Sequence, residues 1–158
     1  MLCGCAPVTP RLSKQEHKPM LELMLSIFSY IHTPFIQQQL SSENKISLLV
    51  GHDSNIVALL SALGVEPYEL DDSLENIPIG GKLMFEVWKH KPSGKLKFKL
   101  DYVYQSTEQL VKLTPLSLAT PPKQTALTLE ACTKDESGFC DYEQFQKVLS
   151  ESVENGKK

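Results

Sequence analysis

The residues best suited to chemistry stand together as Gly51-His52-Asp53-Ser54-Asn55, directly after the apolar run Leu48-Leu49-Val50. An imidazole beside a carboxyl can divide the work of phosphoester cleavage. His52 can donate to a phosphate oxygen, and Asp53 can deliver a proton to a leaving alkoxide. Ser54 and Asn55 are the next candidates for substrate contact, and either would cap a helix that begins here. The dipeptide also has a blander reading, an N-cap with a solvated neighbour. A third is a metal-dependent His-Asp hydrolase, which needs further ligands. His17, His32 and His90 show no ligand spacing, so neither a metal nor another cofactor is expected.

Positioning this pair is the task of the elements around it. Ile46 to Val50 is continuously apolar, as suits a strand covered on both faces in a parallel sheet. Ile56, Leu59, Leu60 and Leu63 then follow helical spacing, and Gly64 supplies a C-cap. The pair therefore sits where a buried strand stops and a helix begins. In an open α/β sheet that crevice binds ligands, and helix-start N–H groups favour an anion there.

Upstream, Pro19 opens a stretch in which Met20, Met24, Ile27, Phe28 and Ile31 share a helical face, with Glu22, Ser26 and Ser29 opposite. Pro34 ends it, and Gln37-Gln38-Gln39 to Glu43-Asn44 is a polar connection. Downstream, Lys82 to Trp88 and Lys95 to Tyr104 alternate about a Pro92-Ser93-Gly94 turn, which predicts a hairpin with one buried face. Thr114 to Pro122 is extended and proline-bearing. A last helix carries Phe145, Val148, Leu149 and Val153 on one face, and Asp141 with Gln144 marks a capping-box start. The fold class is α/β, with no internal repeat and no low-complexity segment.

Composition narrows the functional classes. The 158 residues are 41% hydrophobic and 22% charged, which suits one globular domain. The formal net charge is −3, and the longest basic block is Lys157-Lys158, so a nucleic-acid partner or a polybasic membrane patch is not expected. Lys plus Arg is 16, of which Arg11 is the single arginine. That rules out a self-contained site gripping phosphate with several guanidinium groups. No apolar run approaches the roughly 18 residues of a membrane-spanning helix, and Met1 to Ala6 lacks the basic and apolar regions of a signal peptide. Trp88, Tyr102 and Tyr104 read as strand packing, and Lys95, Lys97 and Lys99 as one solvated strand face. Gly80-Gly81 leads into a strand, so it is no phosphate loop.

Several segments carry a family likeness. Gly51-His52-Asp53-Ser54-Asn55-Ile56 and the later Ile77-Pro78-Ile79-Gly80-Gly81-Lys82-Leu83-Met84-Phe85-Glu86-Val87-Trp88 resemble the C-terminal half of bacterial histidine acid phosphatases, in the glucose-1-phosphatase and phytase branch. Further matches keep the same order: Thr9-Pro10 ahead of Pro19-Met20-Leu21-Glu22-Leu23, Tyr104-Gln105-Ser106, Thr114-Pro115-Leu116-Ser117-Leu118 with Thr120-Pro121-Pro122, Leu127-Thr128-Leu129 before Cys132, and Gly138-Phe139-Cys140 with Phe145. The likeness runs from Thr9 to Val153, leaving 1–8 and 154–158 as tails. It implies the C-terminal part of a phosphoglycerate mutase-like three-layer sandwich, with a β-hairpin and a C-terminal helix. It also implies hydrolysis of phosphomonoesters, such as sugar or inositol phosphates, through a phosphohistidine and without metal. His52 would be a phosphate ligand and Asp53 the general acid.

The departure from the family is as large as the match. Its Arg-His-Gly-x-Arg-x-Pro motif, which supplies the nucleophile and two phosphate-binding arginines, has no counterpart here, and Arg11 has neither context. The expectation is therefore a chain lacking roughly the first half of the fold, inactive alone, and needing that half as its partner. A non-catalytic remnant or anion-binding module is the competing reading. An unaccompanied strand at 46–50 should leave apolar surface exposed. Four cysteines allow three pairings. Cys132 and Cys140 enclose a short turn that a disulfide could close, and they match the branch's closing motif; Cys3 and Cys5 are poorly placed to bond each other. Two free thiols at 132 and 140 are the alternative. A bridge would imply an oxidising space, periplasmic or secreted.

Overall fold

The computed structural model describes residues 18–29 and 46–155. Arg11, His17, Ile31, His32, Pro34, the 37–44 connection, Cys3, Cys5 and the Thr9-Pro10 match lie outside the described residues. The chain divides into two units, residues 1–64 with 146–158 and residues 65–145.

In the first unit, helix α1 is Lys18–Ser29 and helix α2 is Asp53–Ala62. Pro19 occupies the first turn of α1, where its missing N–H leaves no helical bond unmade. Among the described side chains of α1, Leu21 and Met24 are buried; Leu21 stands outside the stripe read from the sequence. In α2 and just beyond it, Ala58, Leu59, Leu60, Ala62 and Leu63 are buried. Leu63 is the C-cap and Gly64 follows with φ +64°.

The 46–50 segment departs from expectation. It is in no strand, and Ile46 and Val50 are 87% and 90% exposed. A parallel strand exists through the ladders on its edges, and no strand among the described residues pairs with this one. The expected apolar exposure is present.

The second unit is an antiparallel sheet. Strands β1 (Lys82–Lys89) and β2 (Leu96–Tyr104) form the hairpin, in register from Lys82 opposite Val103 to Lys89 opposite Leu96. Its turn is closed by the Gly94 N–H on the His90 carbonyl (2.7 Å) and the His90 N–H on the Lys95 carbonyl (2.8 Å). Helix α3 (Thr107–Val111), strand β3 (Lys123–Leu127) and strand β4 (Cys140–Asp141) complete the unit. Both β3 and β4 pair with β2 on the edge that β1 leaves free.

Helix α4, Tyr142–Asn155, begins in this unit and continues into the first. Phe145, Val148, Leu149 and Val153 are all buried. Asp141 caps it by accepting the Glu143 N–H at 2.9 Å. Gln144 does not return to the cap as the capping box required; its Oε1 accepts the Thr133 N–H at 3.2 Å. A tertiary donor has outcompeted the local one. Within the first unit, Ser152 donates to the Ala62 carbonyl (2.7 Å) and Gln146 to the Phe28 carbonyl (3.1 Å).

One face of β2 carries Phe98, Leu100, Tyr102 and Tyr104, all buried. Phe98 stacks on Phe145 with centroids 3.6 Å apart and planes at 6°. The other face is not simply solvated. Asp101 is fully buried between its cross-strand partners Met84 and Ala126. Its carboxylate takes the Lys99 ammonium at 2.8 Å and the Gln124 amide at 2.9 Å. A carboxylate in so dry a place requires such donors. Cys132 and Cys140 form a disulfide with Cα atoms 5.8 Å apart, around a turn in which Asp135 accepts the Ser137 and Phe139 N–H groups. No helix among the described residues is long and apolar enough to cross a membrane.

A loop-rich lobe closes the far end of β2. Tyr104 donates to the Asp71 carbonyl (3.0 Å), the Thr107 N–H to the Asp72 carbonyl (2.8 Å), and Lys123 pairs with Asp72. Ser106 caps α3 and Gln109 returns the bond, a complete capping box. The helix ends with the Thr114 N–H on the Gln109 carbonyl and the Leu113 N–H on the Leu110 carbonyl, the paired bonds of a Schellman motif. Tyr102 packs where β1 begins, and burial together with the nearby Tyr68 hydroxyl pushes its phenol pKa far up.

A Cβ on Gly81 would lie 2.7 Å from the Tyr102 ring, 2.8 Å from its hydroxyl and 2.9 Å from the Pro78 carbonyl. Gly81→Ala is therefore expected to destabilise the chain by about 1–3 kcal/mol. Urea unfolding indistinguishable from wild type would contradict this packing.

Candidate functional site

The Gly51 to Asn55 stretch is built by the start of α2. His52 is the N-cap, with φ −99° and ψ 170°, and Asp53 is the first helical residue. Ser54 and Asn55, expected as caps, lie instead inside the first turn. The physical reason is the extended backbone at His52, which leaves its carbonyl free to accept the Asn55 N–H at 3.0 Å and so start the helix one residue before Asp53.

Asn55 has a different part. Its Oδ1 accepts the His52 N–H at 2.8 Å, the return bond of a capping box with the shorter asparagine in place of the usual glutamate or glutamine. This bond fixes the backbone from which the imidazole departs. Gly51 makes room for it: a Cβ there would stand 2.8 Å from Asn55 Oδ1 and 3.2 Å from its Cγ. From the sequence, Asn55 reads as an N-cap or a substrate contact, and Gly51 has no part of its own. The three-residue spacing from His52 to Asn55 was the available signal, masked because His is an uncommon N-cap.

Asp53 Oδ1 accepts the Ser54 N–H at 2.7 Å, which turns the carboxyl toward the helix start. His52, Asp53 and Ser54 are exposed. An imidazole, a carboxyl and the start of a ten-residue helix thus share one solvent-facing end. Such an end favours a negatively charged group.

Other residues singled out in the sequence stay outside this group. His90 is in the hairpin turn, where Nδ1 is 2.7 Å from Ser93 Oγ. Gly80-Gly81 runs into β1, with the Gly81 N–H on the Pro78 carbonyl at 2.9 Å. Trp88 meets Phe139 edge-on and donates to Glu86. Lys97 and Lys99 are engaged by Asp135 and Asp101. Among the described residues, no three His, Cys, Asp or Glu side chains converge as metal ligands would.

Comparison with known proteins adds three findings. Residues 14–114 match the family described as histidine phosphatase superfamily (branch 2). The chain is 44% identical over 128 residues to a glucose-1-phosphatase of Providencia rettgeri, covering 81% of this chain and 31% of that protein. It is 30% identical over 146 residues to phytase AppA of Escherichia coli (strain K12), covering 91% and 33%. Among solved structures, the apo form of Hafnia alvei phytase superposes with a TM-score of 0.83 at 30% identity, over 93% of this chain and 36% of that one. The same phytase in complex with myo-inositol hexakis sulphate gives 0.81. The chain spans about a third of the length of the curated relatives it matches.

Removing the carboxamide in Asn55→Ala should cost about 1 kcal/mol of stability in urea. Gly51→Ala displaces the same group, so it should cost much less in the Asn55→Ala background than in wild type. Strictly additive losses would mean that Gly51 serves something other than this bond.

Proposed function

The chain belongs to branch 2 of the histidine phosphatase superfamily, and from that premise we propose that it supplies the phosphate-ligand and general-acid part of an acid phosphomonoesterase site. The observation that carries this reading is His52 as N-cap beside Asp53 as first helical residue, both solvent-facing at one helix start. His52 donates to a non-bridging phosphate oxygen, and the first-turn N–H groups of α2 add to the same attraction. Asp53 protonates the departing alkoxide, which is too basic to leave unaided. Ser54 and Asn55 border the same space and are candidate substrate contacts.

The remaining chemistry comes from elsewhere in this reading. A nucleophilic histidine and a set of arginines belong to the portion that the longer relatives carry, and this chain with its single arginine does not turn over alone. The names of the relatives, glucose-1-phosphatase and phytase, support a sugar phosphate or an inositol phosphate as substrate. The Cys132–Cys140 bridge supports an oxidising compartment, periplasmic or secreted.

The purified chain should not hydrolyse p-nitrophenyl phosphate at mildly acidic pH. A chimera carrying the N-terminal portion of the Providencia rettgeri enzyme ahead of this chain should. In that chimera Asp53→Asn should lower kcat roughly 100- to 10,000-fold for glycerol phosphate, and much less for p-nitrophenyl phosphate, whose leaving group needs little protonation. Equal losses with both substrates would remove Asp53 as the acid. Steady turnover by the chain alone, abolished in Asp53→Ala, would show that no second portion is needed, and an inert chimera would favour an anion-binding module. Peptide mapping without reductant should recover Cys132 and Cys140 as one linked pair; two free thiols would withdraw the support for export.

A further inference from the structure

The lobe at the end of β2 displays leucines at a cost to its own backbone. Leu113 follows the C-cap of α3, the position that glycine usually fills because the chain there is left-handed. Its φ is +50°, a conformation that any residue with a Cβ resists. The turn gains the two backbone hydrogen bonds that close α3, which glycine would make equally well, and the leucine side chain adds nothing to them, since Leu113 is 85% exposed. Four more apolar side chains on this lobe are also exposed: Leu74, Val111, Leu116 and a fully exposed Leu118.

The loop that carries these side chains is bonded within itself. Prolines stand at 115, 121 and 122. Gln109 donates to the Pro121 carbonyl at 2.9 Å, and Thr120 Oγ1 donates to the Pro115 carbonyl at 2.7 Å while its N–H reaches Ser117 Oγ at 3.1 Å. Leu74 joins them because its N–H donates to Thr107 Oγ1 at 3.1 Å. The loop's polar groups are thus occupied with one another, and the leucines remain outward. Residues 113–120 contain no charge, so this stretch suits a close-packed apolar face.

We propose that this lobe is the docking surface for the rest of the fold that the longer relatives carry. The inference rests on the reading that such a portion completes the phosphatase. That portion is the occupant because the chain matches only about a third of each relative's length while leaving these apolar side chains exposed around an uncharged 113–120 stretch. The left-handed leucine is then explained: its strain in the isolated chain is offset by burial in the assembled fold.

The two states of Leu113 give the test opposite signs. In the isolated full chain, Leu113→Gly should raise the thermal midpoint by about 2–4 °C, because the strain is relieved and no contact is lost. With the N-terminal portion of the Providencia rettgeri enzyme co-expressed as the binding partner, Leu113→Gly should weaken capture roughly ten-fold, and adding Leu118→Asn should weaken it further. A lowered midpoint for Leu113→Gly would mean that the leucine serves its own unit and would overturn the proposal. So would failure of the unsubstituted chain to capture the partner, capture indifferent to these leucines, or a tight dimer of this chain that the same substitutions dissolve. Asp53→Asn separates this proposal from the catalytic one. Capture without turnover defeats the catalytic reading alone, and turnover indifferent to Leu113 and Leu118 defeats the docking surface alone.

Discussion

Strand β2 is the element on which the second unit depends. It has ladders along both edges, with β1 on one side and β3 and β4 on the other, so removing it would leave no pair of strands joined. Its inward side chains also provide the core, with Phe98 stacked on Phe145 and Leu100, Tyr102 and Tyr104 buried behind. The cost of that central position falls on Asp101, a carboxylate carried to the middle of the sheet and kept there by Lys99 and Gln124. Edge strands tolerate such residues easily; a central strand does so only with dedicated partners.

The contrast with residues 46–50 is instructive. Both stretches have strong strand sequences, yet only β2 finds neighbours within the described residues. Periodicity reports what a segment would do with partners and says nothing about whether they are present. The hairpin was legible because its two strands and turn are contiguous, and α2 because Ile56 to Leu63 repeat at helical spacing. Helix α3 has five residues, too few to show a period, and β3 directly follows the extended, proline-bearing 114–122 stretch, with no turn to mark where it begins. The Asp141–Gln144 pair was half right, since a local pattern cannot reveal that the Thr133 N–H lies within reach of Gln144.

The site was legible as a motif before it was legible as a structure. His52 and Asp53 could be named from residue type and from their place before a helix. The reason for Gly51 could not, because it lies in the space needed by the Asn55 carboxamide. A glycine that permits a hydrogen bond two bonds away leaves no trace in hydropathy or spacing. The chemical meaning of the lone arginine also depends on context. In the proposed reading, the His-Asp pair supplies anion attraction and a proton, and the guanidinium groups come from the portion that the longer relatives carry.

The position of Trp88 has a spectroscopic consequence. It is the single tryptophan of the chain, half-exposed near the hairpin turn and in edge contact with Phe139, so intrinsic fluorescence observes the sheet unit. Far-ultraviolet circular dichroism is weighted toward α1, α2 and most of α4, which belong to the other unit. Two ordinary optical probes therefore watch two different parts of one polypeptide. Superimposable melting curves would report a single cooperative transition, and separated curves would report two.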